Sequence, residues 1–136
     1  MLQHEKNTLS VIVQRGSGVR LSFFGGLTFQ RAGTPDRSPG NGVWVASLED
    51  LLATKLNAVY QRSEAKDYWD IHEILSYTGW SLAEGLSLAK AVYGKTFNIL
   101  LPLQALCYFE DGDLPSLPAS IKESLAHAAR AAKNTP

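Results

Sequence analysis

Between residues 48 and 75 the chain reads "LEDLLATKLNAVYQRSEAKDYWDIHEIL". Lys55 falls inside an apolar stripe made by Leu48, Leu51, Leu52, Leu56 and Val59. It follows Leu51 by four residues and Leu52 by three, so in a helix these side chains share a face. Arg62 comes seven residues after Lys55 and continues that face. In the next segment Asp67 and Asp70 are three apart, which sets two carboxylates side by side on a helix. If the two helices fold back on each other, Lys55, Arg62, Asp67 and Asp70 converge near the turn. Two chemistries fit such a cluster. One is a structural ion-pair network, which fixes geometry and adds little net stability because desolvation offsets attraction. The other is an active-site wall, with a lysine for phosphates and an aspartate to orient it or a nucleophile.

The elements that must position these charges follow from the pattern around them. "TLSVIVQ" and "VRLSFFG" alternate apolar and polar residues and flank the turn signal "RGSG", so residues 8–25 form a β-hairpin. "RAGTPDRSPGNG" is a loop rich in Gly and Pro, and "VWVA" (43–46) is a short buried strand. From Ser47 the period becomes helical. "SLED" opens a first helix, Ser63 caps a second that ends near Gly79, and "SLAE" opens a third that ends at Gly94. A fourth covers about 96–109, with Pro102 imposing a kink or a late start. "ASIKESLAHAARAAK" is a last helix. Strands first and helices after predict an α+β fold in one domain, residues 1–136. Its small antiparallel N-terminal sheet packs on a C-terminal helical bundle, and a sheet edge is left open.

Composition narrows the function little. The 136 residues are 45% hydrophobic, enough for one core, and carry 13 acidic and 13 basic side chains. Net charge therefore points to no particular partner, although a local basic patch can still bind RNA. Arg15, Arg20, Arg31 and Arg37 are candidates for such a stripe, and equally for residues that blunt a sheet edge. Trp44, Trp69, Trp80, Tyr68 and Tyr77 can stack bases, but packing between sheet and helices is the commoner use. The one cysteine, Cys107, is expected to be buried as a small hydrophobe in a reducing compartment, the cytoplasm. No run of about 20 apolar residues crosses a membrane. No histidine pairs with another or with Cys107 at a metal-ligand spacing.

"SLEDLLATKLNAVYQR" and "AKDYWDIHEIL", together with "LPLQALCYFEDGDLP" further on, resemble the AbiEii/AbiGii toxin family. The resemblance runs from about residue 8 to the "DLP" loop. It implies a nucleotidyltransferase fold and transfer of a nucleotide from an NTP with Mg²⁺, in some members onto RNA such as a tRNA 3′ end. It also implies a toxin paired with a cognate antitoxin. Lys55 would then contact the nucleotide phosphates, with Arg62 as a second nucleotide-binding cation. Asp67 is favoured for the site role and Asp70 for its structural ion-pair partner. The family's glycine turn followed by two acids one residue apart has no counterpart: after "GSG" (16–18) the first acid is Asp36, in a loop. No metal ligand is therefore assigned, and Lys66 stands where arginine is usual. These departures predict a partial nucleotidyltransferase-like fold, either a natural remnant or one whose true start lies upstream, weak or inactive alone. The alternative is a non-catalytic module that binds an antitoxin-like partner, or a second copy, through the open sheet edge.

Overall fold

A computed structural model describes residues 3–27 and 29–135, with only the backbone of residues 3 and 4. The expected hairpin forms as β2 (Thr8–Val13) and β3 (Val19–Phe24), after a first strand β1 (Gln3–Glu5) that sequence reading missed. The order is β1-β2-β3, antiparallel throughout. Register pairs Leu9 with Phe23, Val11 with Leu21 and Val13 with Val19. Since directly opposed residues share a face, these six side chains make one wholly apolar face. The other face carries Ser10 and Ser22, whose hydroxyls lie 2.8 Å apart. A second hairpin joins β4 (Asp36–Arg37) to β5 (Trp44–Val45). Residues 43–46 were expected to be buried. Instead Trp44 is 60% exposed, and the Arg37 guanidinium lies 4.6 Å from its ring centre. An apolar run of four cannot by itself say whether another layer covers it.

The helices follow as α1 (Leu48–Ala58), α2 (Ala65–Thr78), α3 (Leu82–Tyr93), α4 (Leu100–Ala105) and α5 (Ala119–Lys133). The arrangement is α+β, as the order of patterns predicts. Contact between its two parts is narrower than expected. β3 is exposed along its whole length, and sheet and bundle are joined by the chain around Phe29 and Gln30. There the Gln30 amide donates to the Val92 carbonyl at 3.0 Å, and the Phe29 ring lies 5.3 Å from that of Tyr93. The helices spend their apolar stripes on one another. Leu52, Leu56, Ile71, Leu86, Leu106 and Leu125 belong to a core that includes no residue of the three-stranded sheet among the described residues. No helix among the described residues is long and apolar enough to cross a membrane.

The helix ends explain how α1 and α2 are aimed. Ser47 caps α1, its hydroxyl accepting from the Asp50 amide at 3.1 Å. The Asp50 carboxylate in turn accepts from the Ala32 amide at 2.6 Å and from Ser47 Oγ at 3.0 Å, pinning the incoming loop to the helix. Gly33 passes so close that a Cβ there would collide with the Ser47 side chain. α2 starts one residue later than a Ser63 cap would place it. Its Ala65 amide donates instead to Asp113 Oδ1 at 2.7 Å, a cap brought from 48 residues away. Gly112, at φ +55°, lets that loop press against the Ser63 carbonyl, where a side chain would collide. Asp113→Ala should therefore cost about 1 kcal/mol of stability, read by urea denaturation. α2 ends on left-handed Gly79, and α3 opens with a full capping box between Ser81 and Glu84, both as expected. α4 starts late, with Pro102 in its first turn. Cys107 is exposed, not buried: α4 is shorter than its apolar run suggests, and the thiol lies just past its end.

Candidate functional site

Lys55 sits in the last turn of α1, Arg62 in the connecting turn, and Asp67 and Asp70 in the first half of α2. The antiparallel turn brings all four together. Lys55 Nζ donates to Asp67 Oδ1 at 3.1 Å and lies 2.7 Å from Asp70 Oδ2. Arg62 grips the same Asp67 with two donors, Nε to Oδ2 at 2.7 Å and a terminal nitrogen to Oδ1 at 3.0 Å. Asp67 is entirely buried, whereas the Lys55 side chain is 19% exposed, Arg62 46% and Asp70 47%. The cluster is thus graded. A sealed carboxylate lies at the bottom, a lysine at the rim, and an arginine and a second carboxylate lie half in water.

Burial works against the charge on Asp67, yet the hydrogen bonds from Arg62 and Lys55 outweigh it and hold the carboxyl below its ordinary value. Burial likewise opposes the Lys55 ammonium, and its bonds to Asp70 and Asp67 overcome that and raise it. The bond to Asp67 raises Arg62. All three side chains are charged across the physiological range. Beside them Glu64 Oε2 lies 3.0 Å from Lys66 Nζ and 3.7 Å from Arg62 Nε. Sequence reading missed Glu64, although its place next to Arg62 and before Lys66 is a visible signal.

The cluster does not suit a divalent metal. Asp67 has both oxygens taken by cations, and Asp70 is paired with Lys55. Among the described residues no group of three or more His, Cys, Asp or Glu side chains is placed to hold a metal ion. The aromatic residues divide differently from expectation. Tyr68 is a core residue, whereas Trp44, Trp69 and Tyr77 are exposed.

Over residues 13–134 the sequence matches the family described as nucleotidyl transferase AbiEii toxin, type IV TA system. That match covers most of the chain. The chain belongs to the AbiEii family. An uncharacterized protein of Aquifex aeolicus (strain VF5) is 28% identical over 110 residues, which are 81% of this chain and 51% of that protein. The chain thus spans about half the length of the curated relative it matches. No solved structure matches it.

Proposed function

We propose that this chain supplies the cation-bearing wall of a nucleotidyl-transfer site. Lys55 and Arg62 face the phosphates of an NTP, Asp67 is the positioning residue that holds both, and Asp70 is the outer partner of Lys55. In the reaction a nucleotidyl group passes from the NTP to an acceptor hydroxyl, for which a tRNA end is the family's precedent, and diphosphate leaves. One observation carries the reading. A wholly buried carboxylate takes three hydrogen bonds from two cations that stay partly open to solvent. A plain strut between helices needs one pair; a shared buried anchor fixes the direction of two cations at once.

For the Mg²⁺ that such chemistry uses to neutralise phosphate charge, no group of three or more His, Cys, Asp or Glu side chains is placed as a ligand set among the described residues. Weak or absent activity of the chain alone follows, in a cytoplasmic protein held in check by an antitoxin. The purified chain, incubated with Mg²⁺, labelled NTPs and tRNA, is expected to transfer no label above background. Robust transfer would show that the chain contains a complete site.

A second reading is favoured by the exposed β3 and its apolar face, Val19, Leu21 and Phe23. Unpaired strand edges recruit other strands, so the chain would serve as a non-catalytic module that binds its antitoxin, or a second copy, along β3. A solution mass that stays monomeric, with and without the antitoxin, would rule this out.

A further inference from the structure

A cleft of about 470 Å³ opens between residues 29–46 and the first half of α1. Its walls include Phe29, Trp44, Val45 and Leu51, large apolar side chains all left open to water. Single exposed apolar residues are ordinary, but four around one hollow, with a few polar groups among them, describe a ligand site. The polar groups are specific. Asp50 lines the cleft with its carboxylate already committed to Ala32, Gly33 and Ser47. Arg31 lines it too, and among the described residues no carboxylate lies within ion-pair distance of its guanidinium. The cleft therefore offers aromatic surface and one cation without a counter-charge. A flat aromatic ligand that bears negative charge answers both.

Position supplies the rest. Leu51 is four residues before Lys55 and on the same face of α1, so the cleft wall lies about 6 Å along the helix from that lysine. Thr54, also in the lining, is its immediate neighbour. We infer that this cleft is the base and sugar subsite for a nucleoside triphosphate, its base against Trp44 and Phe29 and its phosphates running past Arg31 toward Lys55. The inference rests on the nucleotidyl-transfer reading and adds to it where the nucleoside lies and which residues choose it.

Isothermal titration of the whole chain with each of the four NTPs and with inorganic tripolyphosphate tests it. The preferred NTP should bind more tightly than tripolyphosphate. Trp44→Ala, with folding checked by circular dichroism, should weaken that NTP roughly tenfold and leave tripolyphosphate unchanged. Leu51→Gln on the opposite wall should act in the same sense, so the result does not hang on one variant. NTP affinity that is untouched in both variants, or no better than that of tripolyphosphate, overturns the subsite while leaving the phosphate wall standing. A wild-type chain that binds neither ligand overturns the transfer reading and the subsite together. If a single-stranded RNA depends on Trp44 and the NTPs do not, the occupant is RNA and the inference fails.

Discussion

A Lys55→Met, Arg62→Met double variant is expected to lose about 3–5 kcal/mol of stability at pH 7, far more than its two single variants added together. Asp67 has no exposed surface, and its hydrogen bonds come from those two cations alone among the described side-chain donors. In Lys55→Met the guanidinium still holds both carboxylate oxygens. In Arg62→Met the ammonium still holds one. Each single loss should therefore stay at or below about 1 kcal/mol, smaller for Arg62 because half of it is already in water. With both gone, a buried carboxylate has no partner and can persist only by taking up a proton. The pH dependence should then invert. In the wild type the folded pKa of Asp67 lies below its ordinary value, so its contribution is present above about pH 4 and lost as pH falls through the folded pKa. In the double variant the folded pKa lies above that value, so stability is retained at pH 4 and lost as pH rises. Urea denaturation at pH 4 and pH 7 reads both effects. Adding Asp67→Leu to the double variant should recover most of the loss, because an apolar side chain there needs no partner. Additive single and double losses, or an unchanged pH profile, would mean that Asp67 finds water and is not the buried anchor.

How much of this was legible depended on how far the deciding contact lies along the chain. The helix face joining Leu51 and Lys55 is a local period, and so are the Ser47 cap, the Ser81–Glu84 box and the Gly79 stop; Arg62, expected to continue that face, lies past the end of α1 at Ala58, in the turn. The convergence of Lys55 and Arg62 on the aspartates needed only a short antiparallel turn. Spacing could not say which aspartate is sealed. Three residues along a helix shift a side chain by a sixth of a turn, and that rotation separates buried Asp67 from half-exposed Asp70. The α2 cap was hidden because its acceptor, Asp113, is 48 residues away and Ser63 is the obvious local candidate. Trp44 and Cys107 were misplaced for one reason: apolar neighbours in sequence predict a face, but burial needs a second layer, and neither residue has one. The cleft at Trp44 exists because of that missing layer.

Tyr68→Ala should be the most damaging single substitution near the site, costing about 3–5 kcal/mol. Tyr68 follows Asp67 directly, so a 100° step along α2 turns it from the charged turn into the core, where it is almost fully buried. Its ring meets Phe109 edge-on at 6.0 Å, and its hydroxyl donates to the Ala105 carbonyl, at the end of α4, at 3.1 Å. One side chain thus ties the first turn of α2 to α4, and truncating it frees the backbone that aims Asp67. Tyr68→Phe keeps the ring and removes one donor from a carbonyl that the Tyr108 amide also serves, so about 1 kcal/mol is expected. The pair separates packing from titration. Burial, with the nearby charges of Asp67 and Asp111, pushes the Tyr68 hydroxyl up to about 12. Unfolded tyrosine ionises near pH 10, so this contribution is complete below pH 10 and is lost as pH rises through about 12. Stability measured from pH 8 to 12 should fall less steeply in Tyr68→Phe than in the wild type, with the part owed to Lys55 remaining. Identical alkaline slopes would place the hydroxyl in water, and the "DYWD" segment would then owe its rigidity to something other than this tyrosine.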